Sequence, residues 1–455
     1  MLLISEIVKA TNGKLVSKGL VLNVDAVSTD SRNVLPGELF FAIVGEKFDA
    51  HNFLNEVVKK GITAVVVSKP VSLPAQVAVI KVKDTTEALG DLARYYRNKF
   101  DIPVIAITGS AGKTTTKDMI ASVLSERYQV LKSVKSFNNK YGVPLTILKL
   151  RKEHMVLILE LGTNHRGEIA ALAKIAQPTM CVFTTIGESH LEGLGSTLGV
   201  FKEKSQMVRH MKRDGIVVYN SDNKYLRAFS SDKYRFPKFS YSVEQESDFK
   251  AEDIKQDARK ISFKVKNQDF ILSSPVSHNT HNALAALVCG KLLGLSYNEI
   301  KSGLKKFKNP DGRQNICAIK KRVLIDDTYN ANPVSYRSAI DTLNKWSGNV
   351  TKILVCGDML ELGEEKIEQH KSLGRVVADT NIDVVVTLGT NAAYIGQEVK
   401  KFSDKKVYIC KTIKQVESRL KTVCRNTSSV ILVKGSRGMK MERAVEFLKQ
   451  YFKKL

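Results

Sequence analysis

The residues richest in chemistry run Thr108-Gly109-Ser110-Ala111-Gly112-Lys113-Thr114-Thr115-Thr116, directly after the apolar stretch Val104 to Ile107. A strand entering a glycine loop and then a helix is how proteins cradle a nucleoside triphosphate: Gly109 and Gly112 let backbone N–H groups approach phosphate, with Ser110 and Ala111 between them. Lys113 neutralises β/γ oxygens, the Thr114 hydroxyl is placed for Mg²⁺, and Thr115 extends the run. The common phosphate loop has a glycine five residues before Gly112, where this chain has Ile107, so the loop is a short form. An ordinary strand-to-helix turn would use the glycines but has no use for a lysine followed by three hydroxyls.

Ligands of open α/β sheets gather at the carboxyl ends of strands. After the apolar run Met155–Leu159 come Glu160-Leu161-Gly162-Thr163-Asn164, and after Cys181–Thr184 come Ile186-Gly187-Glu188-Ser189-His190. A carboxylate and an imidazole beside a triphosphate site suit hard divalent ions held partly by substrate oxygens.

The elements that must position these groups fall into three blocks, giving an α/β fold class with three domains. Residues 1–85 form a small α/β N-terminal domain with apolar runs Val24 to Val27, Leu39 to Val44 and Ala64 to Val67 and a helix from Phe53 to Lys60. A Pro70 to Pro74 linker and a helix from Thr86 to Lys99 lead into residues 86–308, a central P-loop ATPase-like domain whose continuous apolar strands mark a covered parallel sheet. Residues 309–455 repeat the strand-helix rhythm with Val323–Ile325, Ile353–Cys356, Val384–Thr387 and Val430–Val433, as expected of a Rossmann-like domain.

At 455 residues the chain has room for these domains. Its six cysteines are widely spaced and form no C-x-x-C pair, so they read as thiols of a reducing, cytoplasmic compartment. No apolar run is long enough to span a bilayer, which argues against membrane insertion. The net charge of +25 raises a nucleic-acid-dependent ATPase as an alternative, but the basic clusters are scattered and lack interleaved aromatics, so no nucleic-acid partner is expected. A positive field suits recruitment of polyanionic small substrates.

Four segments together resemble the Mur ligases of peptidoglycan synthesis: Thr108 to Thr115, Phe137-Asn138-Asn139 to Pro144, Glu160 to Ile169, and Asp326-Asp327-Thr328-Tyr329-Asn330-Ala331-Asn332-Pro333. Thr29 to Arg32, Gly357 to Gly363, His370 with Gly374, and Lys434 to Arg437 extend the resemblance over the whole chain. It implies ATP-driven amide formation through an acyl phosphate. Asp327 to Pro333 favours the type that joins D-alanyl-D-alanine to UDP-N-acetylmuramoyl-tripeptide, over the ligase adding the third peptide residue or a folylpolyglutamate synthase. A monomer is expected, and the third residue, diaminopimelate or lysine, stays open.

The resemblance also implies roles. Lys113 and Thr114 would meet ATP phosphates and Mg²⁺, with Glu160 on the same ion; His190 and a carbamylated Lys204 would hold a second Mg²⁺. Asn282, Arg313, Asp327 and Asn332 would surround the nucleotide. Ser31, Arg32, Asn138, Asn139, Thr163 and Asn164 would face the UDP-precursor, and Arg437 would anchor the dipeptide carboxylate in the cleft between the central and C-terminal domains. The chain departs from the family in Val276-Ser277 before His278, in Ala50 where glycine is common, and in Gln206 where glutamate is usual.

Overall fold

A computed structural model describes residues 2–454 apart from Lys47, Lys233, Ala258, Arg259, Pro275 and Asn426. The N-terminal sheet runs Lys14–Ser17, Ala78–Lys81, Ala64–Val67, Glu38–Phe41, Ala26–Ser28, parallel except for the first strand. Two expectations change here. Asp25 splits the run Val24 to Val27, so Asn23–Val24 pairs with Leu2–Leu3 while Ala26–Ser28 joins the sheet. Pro70 and Pro74 do not link domains: they lie between Ala64–Val67 and Ala78–Lys81, which are adjacent strands of one sheet. Proline ends a strand by withholding a donor, and that signal is the same whether the chain then leaves the domain or returns to it.

The connection to the centre is instead the helix Thr85–Arg97, capped by Asp84 accepting from the Thr86 and Glu87 amides. Tyr96 Oη donates to Leu150 O (2.9 Å) and Arg97 Nε to Ala176 O (3.2 Å), fastening this helix to the second unit.

The central sheet is parallel throughout, in the order Phe249–Lys250, Lys238–Ser242, Ile216–Asn220, Met180–Phe183, Val104–Thr108, Val156–Glu160, Val130–Lys132. Its inner strands are buried on both faces, which explains their unbroken apolar runs. Helices Lys113–Leu124 and Asn279–Leu292 fill one face, and Gly142–Ile147 and Glu168–Ala176 the other. A small antiparallel sheet, Glu252–Gln256, Ile261–Val265 and Gln268–Leu272, is appended.

The C-terminal sheet runs Asn315–Ile319, Arg322–Asp327, Ser429–Lys434, Thr351–Gly357, Val384–Leu388, Lys406–Cys410. All are parallel except the first, which pairs antiparallel with its neighbour. Pro333–Asn344, Lys366–Ala378 and Ala392–Phe402 cover one face; Ile413–Cys424 and Glu442–Lys454 cover the other. This doubly wound layout turns the carboxyl ends of its strands, like those of the central sheet, into ligand-facing loops. Among the described residues no helix is long and apolar enough to cross a membrane.

The helix carrying Lys113 and Thr114 is held from behind by Tyr297–Lys306. A Cβ at Gly303 would lie 2.5 Å from Val123 Cα and 2.8 Å from Ser122 O. Gly303→Ala should therefore force the two helices apart, costing about 1–3 kcal/mol. Urea unfolding reads this directly, and an unchanged midpoint would refute the tight packing.

Candidate active site

The phosphate loop has its shape because side chains are excluded from it. A Cβ at Gly109 would come 1.9 Å from Thr184 Oγ1, and Gly112, at φ +80°, would place one 2.8 Å from Asn282 Oδ1. Ser110 N donates to Thr185 O (2.8 Å), Ser110 Oγ to Gly187 O (2.9 Å), and Thr184 Oγ1 to Ala111 O (2.6 Å). The loop is thus tied to the strand beside it, with the N-terminus of Lys113–Leu124 facing the cavity, the geometry that favours anions. Lys113 Nζ folds back to Gly109 O (2.8 Å), and desolvation holds its amine below the ordinary lysine range against the opposing pull of Glu160.

Glu160 ends its strand buried, one residue later than the apolar run suggested. Thr114 Oγ1 donates to its Oε2 (2.7 Å) and Asn138 Nδ2 to its Oε1 (2.8 Å). These oxygens suit one hard cation, but no group of three or more His, Cys, Asp or Glu converges among the described residues, so triphosphate and water would have to supply the remaining ligands. Thr115, Thr163 and Asn164 line the same cavity, of about 470 Å³.

Lys204, the last residue of the helix Thr197–Lys204, is fully buried, and its Nζ has no hydrogen-bond partner. Desolvation first, then the Lys113 charge, pushes its amine well below the ordinary value. Neighbouring Glu203 turns the other way, its carboxylate accepting from the Gly167 and Ile169 amides (both 2.8 Å) and capping Glu168–Ala176. His190 sits at φ +51°, with Nδ1 2.8 Å from Glu361 Oε2 at ion-pair distance but without hydrogen-bond alignment.

The C-terminal unit supplies the opposite wall. Asn332 caps the helix Pro333–Asn344 through Ser335 N (2.8 Å) and reaches across to the phosphate loop, its Nδ2 donating to Ser110 O (3.0 Å). The Arg313 guanidinium stacks over the Tyr329 ring at 4.2 Å, and the Tyr329 hydroxyl meets Ser136 of the central unit. Asp327 pairs with Lys434 Nζ at 2.8 Å, both buried. Asn282 lines the cavity while accepting from Thr116 Oγ1 and donating to Asn279 Oδ1.

Not every expected residue reaches this cavity. Asn139 shapes a turn instead, its Oδ1 accepting from the Tyr141 and Gly142 amides. Ser31 is buried in the N-terminal unit, and Arg32 is exposed and paired with Asp30. Arg437 lies outside the cavity, its side chain 64% exposed and 3.5 Å from Glu442. Conversely, Lys434, Tyr329, His278, His281 and Glu361 line the wall, although none of them was given a role of its own from the sequence. Lys434 had a signal, a lysine ending an apolar strand before glycine, and Tyr329 and Glu361 lie in segments that carry the family resemblance; His278 and His281 joined the wall only when the carboxyl ends of the two sheets faced each other.

Three family profiles match the chain: Mur ligase family, catalytic domain over 23–97; Mur ligase middle domain over 107–290; and Mur ligase, glutamate ligase domain over 312–437. A UDP-N-acetylmuramoyl-tripeptide--D-alanyl-D-alanine ligase of Bacillus subtilis is 35% identical, with 98% of this chain and 97% of that protein covered. The crystal structure of MurF from Acinetobacter baumannii superposes with a TM-score of 0.91 at 31% identity, covering 99% of both chains. MurF ligase from Thermotoga maritima in complex with ADP superposes at 0.84 with 27% identity, covering 95% of this chain and 98% of that one.

His278 provides a stability test. Desolvation lowers it to about 4, outweighing the attraction of Asp327. Because the folded pKa lies below that of an unfolded histidine near 6.5, this contribution to stability is complete above about pH 6.5 and is lost as pH falls toward 4. The ring borders an open cavity, so the loss is about 1–3 kcal/mol rather than the full shift. His278→Gln should flatten the wild-type decline between pH 7.5 and 4.5 by that amount in urea titrations. Parallel declines would sink the assignment.

Proposed function

Because the chain belongs to the Mur ligase family, we propose that it is the ATP-dependent ligase joining D-alanyl-D-alanine to UDP-N-acetylmuramoyl-tripeptide in peptidoglycan precursor synthesis. The observation that carries this reading is one cavity in which the Lys113 loop and Glu160 face Arg313, Asp327 and Lys434 of the other unit. Full-length similarity to ligases of that name supports the dipeptide-adding reaction over third-residue addition or folate glutamylation.

The substrate carboxylate attacks the γ-phosphorus of ATP, the bond to the bridging oxygen breaks, and ADP leaves an acyl phosphate. The amine of D-alanyl-D-alanine then attacks the carbonyl carbon; the amide forms, phosphate departs, and the ammonium proton passes to solvent. The chain's part is positioning and positive charge. Lys113 meets the β/γ oxygens, Asn282 and Asp327 hold adenosine, and Arg313 reaches phosphate. Mg²⁺, when bound, would neutralise phosphate charge, held by Thr114 and Glu160, with His190 and carbamylated Lys204 serving a second ion. A partnerless Lys204 whose amine is pushed well below the ordinary value suits addition of CO₂, in which Nζ forms a bond to carbon and releases a proton. Residues 1–85, with Ser31 and Arg32, hold the UDP end of the precursor; Asn138, Thr163 and Asn164 face its peptide, with Asn139 shaping the turn beside them, and Arg437, exposed beyond the cavity, anchors the incoming dipeptide. The enzyme works as a cytoplasmic monomer.

Mass spectrometry of reactions with UDP-N-acetylmuramoyl-tripeptide and ATP should show the pentapeptide product only when D-alanyl-D-alanine is present. Product formed from a free third-residue amino acid or from a folate would replace this assignment. Lys113→Ala should lower kcat about 100- to 1,000-fold in a folded protein. Lys204→Ala should be similarly weak and partly rescued by a small added carboxylate; no rescue together with a bare lysine in mass spectra would remove the carbamate. Arg437→Ala should raise the KM for D-alanyl-D-alanine while that for ATP holds, and an unchanged dipeptide KM excludes it as the anchor.

A further inference from the structure

Lys117 lies one turn beyond Lys113 on the helix Lys113–Leu124, and its side chain is buried away from solvent. Its ammonium donates to Ser133 O and Lys135 O, both at 2.8 Å. The carboxylate beside it, Asp118 Oδ1, is 3.6 Å away and accepts instead from Lys132 at 2.6 Å. Burying an ammonium is costly unless its donors are used, and an aliphatic side chain would fill the same space without that cost. What the ammonium adds is a set of donors for backbone carbonyls.

Those carbonyls belong to the segment that leaves the edge strand Val130–Lys132 and enters the cavity. Ser133 N donates to Ile158 O (2.9 Å), and Ser133 Oγ accepts from Glu160 N (3.3 Å). Lys135 sits at φ +49°, a left-handed backbone that persists only where its surroundings enforce it. Apolar packing does little of this, because Val134 and Phe137 are exposed. The segment then delivers Ser136 to Tyr329 of the C-terminal unit and Asn138 to the cavity. There Asn138 O accepts from Gly162 N (2.8 Å), while its Nδ2 donates to Glu160.

We propose that Lys117 is a positioning residue that fixes the segment Ser133 to Asn138 against the triphosphate-binding helix, so that Asn138 is held ready for the peptide of the UDP-precursor. This rests on the reading of Asn138 as facing that peptide. The helix has packing partners of its own in Asn279–Leu292 and Tyr297–Lys306, whereas the segment depends on polar contacts. Lys113 and Lys117, four residues apart, thereby set the ATP loop and the precursor loop from one rigid element.

Steady-state kinetics of the full-length protein, with UDP-N-acetylmuramoyl-tripeptide and ATP varied in turn, test this. Lys117→Met keeps an apolar stem and removes the donors; it should raise the KM for the UDP-precursor about 10-fold with that for ATP within about twofold. Lys117→Gln, whose amide still donates, should fall between Met and wild type, and it is read in the same way if the Met variant does not fold. Because Lys117 acts through Asn138, the double variant Lys117→Met/Asn138→Ala should be little worse than Asn138→Ala alone, whereas independent roles would multiply. An unchanged precursor KM, an equal rise in the KM for ATP, or multiplying effects overturns the proposal. If Asn138→Ala raises the precursor KM and Lys117→Met does not, only the positioning role fails; if Asn138→Ala leaves it unchanged, the reading of Asn138 fails with it.

Discussion

An excess of buried positive charge is the constraint on which the rest of the site depends. Lys113 and Lys434 both have their amines pushed down by desolvation, which means that each would gain if an anion arrived. The counter-charges already present are largely occupied. Asp327 is taken by Lys434, and Glu160 accepts from Thr114 and Asn138. Leaving cations in a low-dielectric cleft costs stability, so the fold holds them there against their own solvation preference. A triphosphate placed among them restores the balance, and the chain's +25 charge favours its approach.

The scaffold makes that arrangement possible by opposing two parallel sheets through their carboxyl ends. The loops after Val104–Thr108 and Val156–Glu160 face those after Arg322–Asp327 and Ser429–Lys434. Two helix N-termini, Lys113–Leu124 and Pro333–Asn344, meet at this seam, and the Asn332 cap of one donates to the phosphate loop that starts the other. Electropositive helix ends and lysines therefore act on the same space.

What the sequence revealed followed from periodicity and from glycine. Strands buried on both faces read as unbroken apolar runs, and the phosphate loop stood out because Gly109 and Gly112 leave room for Thr184 and Asn282. Edge strands were less legible: Lys406–Cys410 has only the short apolar run Val407 to Cys410, of which Cys410 alone is buried. The pair Lys434 and Arg437 shows why individual site residues were harder. Arginine's planar fork made Arg437 the more attractive anion ligand. Register decided otherwise for the cavity wall: Lys434 ends a buried strand directly opposite Asp327 on the neighbouring strand, whereas Arg437 begins a short 3₁₀ turn beyond it and faces solvent. Pairing between strands more than a hundred residues apart is not written in either segment alone.

The seam between the two units is polar, and this bears on how an acyl phosphate would be kept from water. Its direct contacts include Asn332 to Ser110 O, Ser277 Oγ to Asp341 Oδ2 (3.0 Å) and Ser338 Oγ with His278 Nδ1 (2.5 Å). Each such bond contributes about 0.5–1.5 kcal/mol net, because water offers nearly equivalent partners when the seam opens. A junction built this way can release product, which a large apolar interface would hinder. Its closed form must then draw additional stability from a ligand that touches both walls, and a ligand shifts such an equilibrium only by its preference for one state. A nucleotide spanning Lys113 and Arg313 has that preference, because only the docked arrangement places both cations around it.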